Sequence, residues 1–176
     1  MSRKLLMVAA LAVLTLPVAQ ARAQMGFGAA AGLSAPMGDF KTGSDAGYHV
    51  TGILNFAAPL APVGFRGEVS FNQFAVKGSS SIKTNLVSGT ANSVISPPGM
   101  GLYGIGGLGM YHGSCSGCIL ASPSQNKVGF NAGAGFKLGL AGFSAFVEAR
   151  YHTFSNGSNN GGGSTAFVPV SFGVIF

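Results

Sequence analysis

The chain of 176 residues carries 10 Lys and Arg against 4 Asp and Glu, is 47% hydrophobic and only 8% charged, and holds 29 glycines and no tryptophan. Basic residues this sparse and scattered exclude a nucleic-acid partner, which needs clustered Lys and Arg. Past residue 23 no apolar run reaches the about 18 residues that a membrane-spanning helix requires, which excludes a helical membrane protein, and glycine at this level serves a helical core badly.

The start of the chain has the layout of a secretory signal peptide: Arg3 and Lys4, an apolar run from Leu5 to Val18, and Ala21-Arg22-Ala23 as a cleavage site. The mature chain is expected to begin at Gln24, giving residues 1–23 as signal and 24–176 as one domain. Losing Arg3, Lys4 and Arg22 brings the formal charge from +6 to +3.

Eight strands are predicted in the mature region. The first spans Met25 to Ala35, and Pro36 to Gly47 then reads as a polar loop. Tyr48 to Ala58 alternates, with Tyr48, Val50, Leu54 and Phe56 on one face and His49, Thr51 and Asn55 on the other. After a tight connection at Pro59 to Pro62, Val63 to Val76 sets Phe65, Val69 and Phe71 against Arg66, Glu68, Ser70 and Asn72, the clearest two-faced strand. Lys77 to Lys83 (KGSSSIK) is expected to be a loop, and Thr84 to Ser96 a strand whose faces are hard to assign. A turn at Pro97-Pro98-Gly99 leads into Gly101 to Gly113 and then a loop, Ser114 to Lys127, holding both cysteines. Val128 to Leu140 and Phe143 to Phe154 form a hairpin at Ala141-Gly142, and SNGSNNGGGST (Ser155 to Thr165) precedes the last strand.

Long and short connections alternate, the pattern of an all-β, eight-stranded antiparallel up-and-down transmembrane barrel, whose strands need about 9–11 residues to cross. Turns near 60, 98 and 142 are assigned to the periplasm with the termini, and loops near 41, 80, 120 and 160 to the exterior. Closure is required because lipid offers an open strand edge no hydrogen-bond partners. A barrel of eight strands encloses room for side chains but not for a wide pore.

The final segment, AFVPVSFGVIF, places Phe176, Val174, Phe172, Val170, Val168 and Ala166 in one apolar row, opposite Ile175, Gly173, Ser171, Pro169 and Phe167. Together with Phe146 to His152 (FVEARYH) before it, this segment resembles the small eight-stranded outer-membrane β-barrel proteins of Gram-negative bacteria, the OmpA, OmpX and OmpW-like group. The resemblance implies that Phe172, Val174 and Phe176 act as the signal read by the barrel-assembly machinery. It implies no peptidoglycan-binding module. The last strand should close the sheet onto the first, with a gap or bulge near Pro169, which lacks a backbone donor.

With lipid outside, strand parity puts Arg66, Glu68, Lys137, Glu148 and Arg150 in the lumen as an ionic cluster, with Asn72 and Asn131 as polar neighbours. Buried charges must pair, so a polar plug is preferred to an ion-pair gate. Gly129, Gly133, Gly135 and Gly139 share that inward face and leave room for bulky side chains such as Arg66 or Arg150. Cys115 and Cys118 (CSGC) are expected to close a disulfide in the third outer loop; with His112 nearby a metal site is a distant second.

The segment from Arg150 to Asn156 vaguely resembles the His and Ser region of outer-membrane lipid A deacylases, but His152 and Ser155 are three apart and fall on opposite faces. A place in the interfacial girdle suits Tyr151 and His152 better. The resulting expectation is a monomeric structural or surface-interaction barrel in contact with outer-membrane lipid, without cofactor, metal or catalytic residues. A narrow solute channel is the main alternative, followed by a lipid A-modifying enzyme and a soluble exported barrel that binds a hydrophobic ligand inside.

Overall fold

The computed structural model describes residues 24–57, 62–117, 125–155 and 163–176; residues 1–23, expected to be a signal peptide, and Cys118 lie outside them. Eight strands follow one another: β1 (Gln24–Met37), β2 (Ser44–Ala57), β3 (Val63–Val76), β4 (Ser79–Ile95), β5 (Leu102–Ser116), β6 (Gln125–Leu140), β7 (Phe143–Ser155) and β8 (Ser164–Ile175). One helical turn, α1 (Phe40–Gly43), sits between β1 and β2. Each strand pairs antiparallel with its sequence neighbours and β8 pairs with β1, so the sheet is a closed up-and-down barrel.

The alternation written in β3 survives intact. Arg66, Glu68, Asn72 and Phe74 are buried, while Phe65 and Val69 are more than 60% exposed. Around the wall Phe27, Leu33, Leu108, Val128 and Phe172 are exposed in the same way. Apolar side chains outside and charged ones inside is the inverse of a water-soluble barrel. The alternative of a soluble carrier needed the opposite placement.

At the end that holds Met25, Phe176 and the connections 96–101 and 141–142, hereafter the lower end, phenylalanines gather on the outer wall. The Phe27 ring stacks on Phe176 at 6.0 Å, Phe143 meets Phe176 at 6.0 Å, and Phe56 is paired with Phe65 across β2 and β3. Rings at this level have the placement of an interfacial girdle.

Three expectations need correction at the upper end and the seam. The segment Lys77 to Lys83 is no long loop: β3 and β4 are joined by Lys77-Gly78 alone, with Gly78 at φ 80°, and Lys83 is paired with both Ala75 and Ser116. Polar residues suit strands that continue past the bilayer, where no face must be apolar. Cys115 likewise lies within β5, opposite Thr84, rather than in a loop. The interruption at Pro169 falls on the β7 side. The β7–β8 pairs break between Ala149↔Val170 and His152↔Phe167, whereas the β1–β8 seam runs unbroken from Gly28↔Ile175 to Met37↔Ala166. The donor that proline lacks is thus one that β7 would have used.

Candidate functional site

The lumen is filled in layers. Lowest lies an apolar layer of Ala30, Ile53, Val94, Tyr103, Ile105 and Phe146, with Ile175 against it. Above it Arg66 and Glu68 of β3 meet Glu148 and Arg150 of β7 across the barrel. Arg66 Nη1 contacts Glu148 Oε2 at 2.8 Å, and Arg150 holds both carboxylates, with Nη1 2.6 Å from Glu68 Oε2 and Nη2 2.7 Å from Glu148 Oε1. The side chains of Arg66, Glu68 and Glu148 are each no more than 2% exposed. Two positive and two negative charges leave the layer neutral, the condition under which buried ions are tolerated.

Neutral donors complete the cage. Tyr103 donates its hydroxyl to Glu148 Oε2 at 2.8 Å, while Thr90 Oγ1 and Asn92 Nδ2 each donate to Glu68 Oε2 at 3.2 Å. Asn131 links Asn92 to Arg150 by donating to Asn92 Oδ1 at 2.8 Å and accepting from Arg150 Nη1 at 3.4 Å. Arg66 also lies 5.3 Å from the ring centres of Tyr103 and Phe146, so two aromatic rings flank its guanidinium at cation–π distance.

Above the ions is a hydroxyl and imidazole layer: Ser34 Oγ donates to Asn72 Oδ1 at 2.8 Å and bonds His49 Nδ1 at 3.0 Å, and His49 Nε2 bonds Ser171 Oγ at 2.9 Å. This layer borders a cavity of about 10 Å³, space for a single water at most. The top layer is apolar and aromatic, made of Phe74, Leu86, Tyr111, Phe154 and Phe167, with Phe40 of α1 packed against it.

Glycine on β6 makes this filling possible. A Cβ on Gly135 would stand 2.5 Å from the Tyr103 ring, and one on Gly133 would stand 2.5 Å from Arg150 Cγ. Gly135→Val therefore drives Tyr103 off Glu148 and costs about 1–3 kcal/mol, the scale of overpacking; a lowered urea midpoint in detergent measures it.

The structure brings Arg66, Glu68, Glu148 and Arg150 together and leaves Lys137 out. Lys137 is paired with Phe146, below the Gly135↔Glu148 pair, and makes no ion pair among the described residues. Parity placed it inward; its level along the barrel axis separates it from the carboxylates. His152 is not in the girdle but inside, its Nδ1 2.9 Å from the Tyr111 hydroxyl and its ring stacked on Phe167 at 4.9 Å. Ser155 is exposed on the opposite side of β7. Tyr151 does face outward. Cys115 is disulfide-bonded, and His112 Nδ1 lies 2.8 Å from Asn126 Oδ1. Phe172 and Phe176 are exposed on the outer wall with Val174 between them half-buried. Sequence reasoning missed Tyr103, Thr90 and Asn92 as ligands of the carboxylates; the lone large polar residue in GLYGIGGLG was the available signal for Tyr103.

A search of curated proteins by sequence finds no match. Among solved structures the chain is similar to Neisserial surface protein A, with a TM-score of 0.59 at 14% identity over 86% of this chain and 95% of that one. It is also similar to the Yersinia pestis outer membrane protein Ail in a phospholipid nanodisc, with a TM-score of 0.52 at 15% identity over 87% and 100% of the two chains. At these identities the likeness concerns the fold. The family model for the outer membrane protein beta-barrel domain matches residues 6–176, nearly the full length, and with the closed barrel and its apolar exterior this chain belongs to that outer-membrane family.

Proposed function

We propose that the protein is a non-conducting outer-membrane barrel whose role is structural or surface-interacting, with the lower end in the periplasm and the upper loops outside. The observation that carries this reading is the interlocked Arg66–Glu148–Arg150–Glu68 layer, roofed by Phe74, Tyr111, Phe154 and Phe167. A solute crossing the lumen would have to separate buried ion pairs and then displace a packed aromatic layer. With the interior occupied, recognition falls to the surfaces that leave the bilayer: the α1 turn, the Lys77-Gly78 hairpin tip and the raised ends of β4 to β6.

Planar-bilayer recording on folded protein, identified by its heat-modifiable gel mobility, tests this. No stable current steps are expected from the native chain. Reproducible ohmic steps would establish the channel instead.

A further inference from the structure

The lower end is open where the upper end is closed. A vestibule of about 750 Å³ enters the lumen there, bordered by Ser96, Ser144, Val94 and Ile175 and reaching the Arg66 and Lys137 side chains. That is the size of a small-molecule pocket. No Asp or Glu borders it, and the connections at this end (APLAP, SPPGMG and AG) contain none. The four mature carboxylate side chains are Asp39 and Asp45, near the upper end, and Glu68 and Glu148, already bound by arginines.

Among the described residues Arg66 Nε and Arg150 Nε lack a hydrogen-bond acceptor, and of these two arginines only Arg66 borders the vestibule, together with Lys137. Lys137 is half-buried and has no ion-pair partner among the described residues. It is fixed at the mouth by its own strand, its amide donating to Gly101 O at 2.7 Å. Arg66, 3% exposed, reaches the vestibule with its Nε–H lacking any acceptor. A buried N–H without a partner is uncommon in folded proteins, and here it sits on a side chain that borders an open, partly apolar cavity whose rim carries the Lys137 ammonium along with the α-carboxylate of Phe176.

We propose that this vestibule is a binding site for a small periplasmic organic anion, its carboxylate or phosphate held by Lys137 and Arg66 and its short apolar tail lying against Val94 and Ile175. The charge selects the anion and the apolar walls select a tail over a bare inorganic ion. Entry and exit are from below only, so binding does not require the lumen to conduct.

The test uses the mature chain folded in lipid nanodiscs, titrated with butyl phosphate and with butyrate, and with 1-butanol as the neutral control. Amide shifts of Tyr103 and Ser144 report the vestibule. Saturable shifts with at least one anion are expected, and none with butanol; which anion binds tighter identifies the headgroup. Lys137→Gln should weaken binding about tenfold, equivalent to about 1.4 kcal/mol, whereas Lys137→Arg should stay within about threefold of the native affinity. Shifts that never saturate, that butanol reproduces, or that survive Lys137→Gln unchanged would overturn the site. The variants are first shown to retain the compact barrel on an unheated gel, and should Lys137→Gln not fold, Lys137→Met, which also removes the charge, carries the test with the same expected loss.

Discussion

Glu148→Ala should lower the stability of the folded barrel by about 3–5 kcal/mol, the cost of leaving buried charge unpaired. Arg66 loses its 2.8 Å partner, Arg150 loses one of its two carboxylates and the Tyr103 hydroxyl loses its acceptor. The layer is left with two guanidinium groups and one carboxylate. A smaller urea midpoint with an unchanged slope would place the loss in stability rather than in compactness. Removing a matched pair should behave differently. In Arg66→Met/Glu148→Met one positive and one negative charge leave together, the Glu68–Arg150 pair stays, and stability should return to near the native value or above it. A single variant within about 1 kcal/mol of native would mean that water reaches the cluster and screens it.

On the outer wall the largest effect is expected from Val69→Arg. Val69 stands at the middle of β3 and is 66% exposed, so an arginine there would enter hydrocarbon at a cost of about 2–4 kcal/mol. Ile95→Arg, on an exposed residue at the lower end of β4, should cost about 0–1 kcal/mol, because near the interface the side chain reaches water. Equilibrium unfolding of both variants in lipid vesicles gives the comparison. Equal costs at the two depths would show that the exposed apolar band does not face lipid.

Much of the architecture was legible because a membrane barrel writes its two faces at period two. The predicted bounds of Val63 to Val76 coincide with β3, and Val170, Phe172 and Phe176 of the last strand's apolar row lie outside with Ser171 and Phe167 within, although Ala166 of that row is buried. The pattern fails where its cause fails. Above the bilayer neither face must be apolar, so KGSSSIK looked like a loop although most of it is strand. In β4 the inward row of Leu86, Ser88, Thr90, Asn92 and Val94 is as mixed as the outward row of Val87, Gly89, Ala91, Ser93 and Ile95, and its faces could not be told apart.

For the candidate site, the sequence carried parity but not height. Arg66 and Glu148 are 82 residues apart, and nothing local states that their levels coincide while that of Lys137 does not. That depends on the register of every pairing around the wall. Tyr103 was obscure for a related reason. Its role exists only because Gly135, on the neighbouring strand, leaves the space its ring occupies.

The unlike layers of the lumen give the molecule a direction. From below, a solute can travel as far as Arg66 and no further; from above, it meets Phe40 over Phe74 and Phe167 at the outset. On the proposed non-conducting reading, the two mouths equilibrate with different solutions. Whatever gathers in the lower one follows the concentration on that side alone, and changes in the medium beyond the upper loops leave its occupancy untouched.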